Sequence, residues 1–226
     1  MQAMMGFILT ISAYWGAKWC YTKTKKVYLS PLLVAPILII GVLVFCQLSY
    51  ESYNYGAKWL TDILQPATVA LAIPLYRYYP ILKKYMYEIL LSVCLGAFIS
   101  ILSSFFIAGM LHLNPKLITS IVPYSITTPF AMRVSDKISG IPTITAVFVI
   151  ITGIVGMVLG PLIIQMFHIK SNIAKGVLLG TSSHGAGTSK ALELSSTAGA
   201  VSSICMVIAA IFSFCITPWV YMHFLK

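Results

Sequence analysis

Residues 178–193 read Leu-Leu-Gly-Thr-Ser-Ser-His-Gly-Ala-Gly-Thr-Ser-Lys-Ala-Leu-Glu, and this stretch carries most of the chemistry the chain could perform. His184 lies between Ser183 and Gly185. Histidine titrates near neutral pH, so it could couple a proton or hold a substrate; its plainer role is a hydrogen-bonded packing residue. Ser183 and Thr188 offer hydroxyls, and Gly185 and Gly187 would let backbone N–H groups approach a ligand. Lys190 and Glu193 stand three apart and become neighbours if the segment is helical. Together these groups suit the binding of a small anion. Covalent chemistry is not expected, because Ser and His adjacent in sequence rarely reach triad geometry. The cysteines Cys20, Cys46, Cys94, Cys205 and Cys215 lie in or beside apolar runs without metal-ligand spacing. The reading is therefore no enzyme, no metal and no cofactor.

Two further clusters interrupt apolar segments. Asp62-Ile-Leu-Gln-Pro-Ala-Thr-Val-Ala-Leu-Ala-Ile-Pro74 places two prolines around Thr68, and Pro123-Tyr-Ser-Ile-Thr-Thr-Pro129 places two around Thr127 and Thr128. Each proline inside a helix removes a backbone donor and clashes with the preceding turn. Broken helices in transporters put half-helix ends at mid-membrane, where they meet substrate. A short echo, Ala67-Thr-Val-Ala-Leu-Ala against Gly187-Thr-Ser-Lys-Ala-Leu-Glu, hints at an internal repeat. Gly153, Gly156 and Gly160 have the spacing of close helix packing.

The surrounding elements are membrane helices. The 226 residues are 59% hydrophobic and only 9% charged, against about 25% charged in soluble domains. A span needs roughly 20 apolar residues, which predicts helices at 3–20, 32–49, 59–78, 87–111, 118–134, 141–167 and 198–224. Residues 173–193 begin apolar and turn polar, so they either form a broken or re-entrant helix or lie in a loop outside the bilayer. The net charge of +10 collects in short connections. The positive-inside rule puts Lys18, Lys23, Lys25, Lys26, Arg77, Lys83, Lys84, Arg133 and Lys137 on the cytoplasmic side and the N-terminus outside. Nucleic-acid binding is excluded, since no basic-aromatic interleaving occurs on a polar surface. The apolar start lacks a basic n-region and reads as a retained first span.

The blocks Gln-Pro-Ala-Thr-Val-Ala-Leu-Ala-Ile-Pro-Leu-Tyr (65–76), Ser-Ile-Thr-Thr-Pro-Phe-Ala-Met (125–132), Gly-Ile-Pro-Thr-Ile-Thr-Ala-Val-Phe (140–148) and 179–193 resemble the LrgB/CidB family, in the family's order and over the whole chain. Departures are Gln65 for a common Gly, Tyr124 for a common Lys and Ala186 for a common Ile. The resemblance implies a holin- or antiholin-like protein affecting murein hydrolase activity and autolysis, or a carrier of small carboxylates such as pyruvate or glycolate. It also implies a smaller LrgA/CidA-like membrane partner.

The expected protein is an all-α, polytopic bundle of the bacterial inner membrane, one LrgB-like domain over 1–226, with broken or re-entrant helices. The favoured activity is transport of a small monocarboxylate, with His184 as the proton-linked group. Thr68, Thr127, Thr128, Ser183 and Thr188 would bind the carboxylate, Gly185 and Gly187 would expose backbone N–H groups, and Lys190 and Glu193 would pair charge. The alternative is a holin-like oligomer that modulates murein hydrolase export. The expected partners are the carboxylate substrate, the lipid bilayer, the LrgA/CidA-like protein and further copies of the chain, with no nucleic acid.

Overall fold

The computed structural model describes residues 2–24, 29–70 and 72–224, and all regular structure among them is helical. The chain divides into two compact units, Met1–Ala72 and Ile73–Lys226.

The first unit holds α1 (Gln2–Thr24), α2 (Pro31–Phe45) and α3 (Tyr50–Ala70). Ser30 caps α2, its hydroxyl accepting from the Leu32 N–H at 3.3 Å, and Pro31 sits where a helix needs no donor. α1 packs on both other helices. The buried apolar side chains of the unit are Ala17 of α1, Ala35 and Ile39 of α2 and Ala57 of α3, whereas Trp15 and Trp19 of α1 and Ile37, Ile40 and Val44 of α2 face outward. Small residues inside and large apolar ones outside is the arrangement lipid favours, because close backbone contact drives association there. Gly6 shows this: a Cβ would strike the backbone of Tyr53. Beside it, Thr10 Oγ1 donates to the Gly6 carbonyl at 2.7 Å and lies 2.8 Å from the Tyr53 hydroxyl.

The second unit begins with the short α4 (Ala72–Arg77), which starts at the boundary, and α5 (Tyr79–Lys84). It continues with α6 (Met86–Met110), α7 (Pro115–Ile121), α8 (Thr128–Lys137), α9 (Pro142–Met166), α10 (Asn172–Leu194) and α11 (Ser196–Phe224). α11 is the central element: 61% of its apolar window is buried, against 28% for α6 and α9. Ile89 and Val93 from α6, Val149 from α9, and Val201, Ile204 and Cys205 from α11 form the main core. Helix ends are closed locally. His112, Ser139 and His168 adopt left-handed φ just beyond α6, α8 and α9. The next N–H then reaches back to a carbonyl five residues earlier, as from Ile169 to Ile164 at 2.9 Å.

Several boundaries differ from the sequence expectation. Among the described residues, α6, α9 and α11 are the helices both long and apolar enough to cross a membrane. α2 is apolar but has 15 residues, while α1 and α3 are long but more polar. The span expected at 59–78 starts nearer, at Tyr50, which puts Asp62 inside α3. The span expected at 118–134 is two short helices, α7 and α8, parted at Pro123–Thr127. Pro129 stands in the first turn of α8, where a helix needs no backbone donor, so it suits a new helix start after the extended Thr127, and Pro123 removes a donor just beyond α7.

Hydroxyls secure this interruption. Thr145 Oγ1 of α9 lies 2.8 Å from the Ser120 carbonyl and 2.7 Å from Ser135 Oγ, and Ser120 Oγ accepts from the Ile141 N–H at 2.7 Å. Ser120, Ser135 and Thr145 are fully buried, so α7, α8 and α9 share one buried hydrogen-bonded node. Gly140 passes close to it, where a Cβ would stand 3.0 Å from the Ser120 nitrogen.

Candidate functional site

The glycine-rich segment is helical on both sides of a break. α10 runs from Asn172, capped by Ser171, to Leu194, and its one non-helical residue is His184 at φ 37°, ψ −124°. No glycine among the described residues has positive φ. That φ/ψ combination is ordinarily a glycine conformation and costs a side-chain-bearing residue about 1–3 kcal/mol. The two halves, residues 172–183 and 185–194, are each shorter than a span.

Packing holds the strained residue in place. Ser183 is fully buried and His184 is only 7% exposed. His184 Nε2 lies 3.1 Å from the Val149 carbonyl of α9. A carbonyl has no proton to give, so Nε2 is the donor. α9 makes room for the break with glycines. A Cβ on Gly153 would sit 2.8 Å from His184 Cε1, and one on Gly156 would overlap the Ser183 hydroxyl. On the other side, Thr188 Oγ1 donates to the His184 carbonyl at 2.9 Å and lies 2.9 Å from Ser202 Oγ of α11. α9 and α11 therefore clamp the break between them.

The expected site residues fall into distinct places. Ser183, His184, Gly187 and Thr188 are buried together at the break. Gly187 serves packing, since a Cβ there would meet the Leu179 carbonyl, whereas Gly185 is exposed with open space around it. Lys190 and Glu193 form an ion pair at 2.7 Å; the Glu193 side chain is 45% exposed, which places the pair at the rim of the element. Thr127 precedes α8 and Thr128 is its first residue, and among the described residues no hydrogen bond links them to α10. The Thr127 hydroxyl is buried without a partner. Thr68 belongs to α3 of the first unit, and its side chain lies outside the described residues.

A cavity of about 420 Å³ adjoins the break. Its wall includes Gly156, Ser182 and Thr181 beside Ser183, together with Ser100 of α6, Tyr124 and Ser125 from the α7–α8 interruption, and Thr152 of α9. Of these hydroxyls, Ser100 and Thr152 lie outside the polar clusters read from the sequence. The available signal was Ser100 within a long apolar run, since polar residues inside spans are functional hypotheses by default.

A helical bundle with spans on the lipid scale, interrupted helices and a cavity with hydroxyls on its wall at one break defines a multi-pass membrane protein. The chain belongs to the LrgB-like family, whose model matches residues 10–223. It is 54% identical to the Bacillus subtilis protein named uncharacterized protein YwbG, covering 96% of each chain. It is 37% identical to the holin-like protein CidB of Staphylococcus epidermidis and 34% identical to that of Staphylococcus aureus, each over 96% of this chain and 95% of the relative. No solved structure matches. The family points to a non-enzymatic, multi-pass protein of a bacterial membrane.

Proposed function

We propose that the chain acts in holin-like control of membrane permeability, modulating murein hydrolase export and autolysis. The observation that carries this reading is full-length similarity to relatives named holin-like protein CidB. The outer surfaces are consistent with assembly: Leu91, Leu95 and Ile99 on α6 and Val147 and Ile151 on α9 are exposed apolar side chains. Such faces suit lipid, further copies of the chain, or an LrgA/CidA-like partner. A lesion formed by assembled copies passes solutes of unrelated chemistry. Release of a trapped neutral dye from proteoliposomes, with and without that partner, tests this. Dye retention under both conditions sinks the holin-like reading.

One observation favours a second reading, a carrier of small monocarboxylates. A pore made by assembly has no need of a strained, clamped break beside a hydroxyl-lined cavity. Conformational strain over-determined by packing gathers at ligand sites and switch regions. In this reading Ser183, His184, Gly185 and Thr188 lie nearest the substrate path, His184 is the proton-linked group, and Thr127, Thr128, Gly187, Lys190 and Glu193 contribute as expected from sequence. Saturable uptake of labelled pyruvate, stimulated by a proton gradient and with the dye retained, is the result expected of a carrier.

A further inference from the structure

The cavity beside the break contains two hydroxyls with nothing to bond. Ser100 Oγ on α6 and Thr181 Oγ1 on α10 are both buried and lack any hydrogen-bond partner. Within a helix a Ser or Thr hydroxyl commonly donates to a carbonyl one turn back, as Ser182 does to Leu178 at 2.7 Å and Thr152 to Phe148 at 2.8 Å. Ser100 and Thr181 instead keep their donors available on the wall of one cavity. Leaving a buried polar group unmet is costly, so an unexplained pair in one place calls for a ligand.

We propose that Ser100 and Thr181 bind the carboxylate end of a short-chain monocarboxylate in this cavity, with Tyr124, Ser125 and Thr152 as further hydroxyls around it. This rests on the carrier reading above. The chemistry follows from the lining: free O–H groups select an acceptor, and no acidic side chain on the wall repels an anion. Val155, Leu159 and Leu178 supply apolar wall for a short carbon body. The volume, about 420 Å³, suits a small molecule.

A second cavity of about 430 Å³ adjoins the first, beside Glu88 and Tyr85 at the start of α6. The two share Gly96, Leu178 and Thr181. Gly96 allows α6 and α10 to meet closely there, because a Cβ on it would stand 3.1 Å from Thr181 Cγ2. Thr181 is therefore both a binding group and the residue at which the two cavities meet.

The test is labelled pyruvate uptake into proteoliposomes for the full chain with Thr181→Val, Ser100→Ala and the double substitution. Ser213→Ala and Thr217→Val are controls, since their hydroxyls are also buried and unpartnered but belong to α11 and do not line the cavity. The expected result is a KM raised about tenfold or more by each cavity substitution, as for loss of a hydrogen bond to a charged group. Membrane abundance and detergent melting temperature should stay unchanged, and the controls should keep the native KM. Gly96→Leu should lower uptake by crowding Thr181 and filling space on the cavity wall. Saturable uptake with the same KM in both cavity variants overturns the site and leaves the carrier reading standing; a cavity filled by a lipid acyl chain or a second copy gives that result. Absence of saturable uptake in the unsubstituted protein overturns both.

Discussion

His184 donates through Nε2 to the backbone carbonyl of Val149 across 3.1 Å, tying the break in α10 to the middle of α9. The bond joins residues 35 apart in sequence and fixes the ring in one orientation. With Nε2 engaged, proton exchange by the neutral ring must use Nδ1. The same bond helps hold His184 at φ 37°, a backbone state that a free chain would avoid. One side chain thus serves as strut and as the proton-coupling candidate.

These two roles separate by substitution. His184→Ala loses the bond and keeps the strain, so it should lower stability by about 1–3 kcal/mol. His184→Gly loses the bond but relaxes the backbone, and should melt above the alanine variant by the equivalent of about 1 kcal/mol or more. Thermal denaturation in detergent decides this. Equal melting temperatures would remove backbone strain from the account. Loss of uptake in both, with membrane abundance kept in the glycine variant, would assign the ring a transport role.

Gly156 is the seat of the break. Gly156→Val places a side chain where the Ser183 hydroxyl now lies. Overpacking of this kind costs about 1–3 kcal/mol, and membrane abundance should fall. Gly41→Ala, with open space at its Cβ, should leave abundance intact. A normal level of the Gly156→Val protein would show that α9 and α10 can separate freely.

The buried node at Ser120, Ser135 and Thr145 should matter for folding only. Thr145→Val keeps the shape and removes the hydroxyl that lies within 2.8 Å of Ser120 O and Ser135 Oγ. The expected loss is about 1–3 kcal/mol, from buried polar groups left unpaired. Proteolysis of the α7–α8 region, followed by time course, should accelerate. Unchanged cleavage would mean that the prolines alone define the interruption.

Tyr124 stands on the cavity wall at a position where the resembled family commonly carries lysine. Tyr124→Lys should lower the KM for pyruvate by adding a positive charge beside Ser125, with the gain shrinking as ionic strength rises. A raised or salt-insensitive KM would place the substrate elsewhere.

Much of this protein is written locally. Continuous apolar runs long enough for lipid put α6, α9 and α11 within a few residues of the expected spans, because hydropathy acts on each segment independently. Pro123 and Pro129 mark the gap between α7 and α8 by their own backbone chemistry. The four quoted blocks likewise carried the family. Tertiary structure decided what those signals could not contain. The glycine-rich run predicts a break, yet the strained residue is His184, and Gly153, Gly156 and Gly187 serve close approach. Ser100 and Thr181 line the same cavity although 81 positions separate them in the chain. Close approach and unmet hydroxyls arise between helices, and a sequence records such contacts only through the packing that brings its distant residues together.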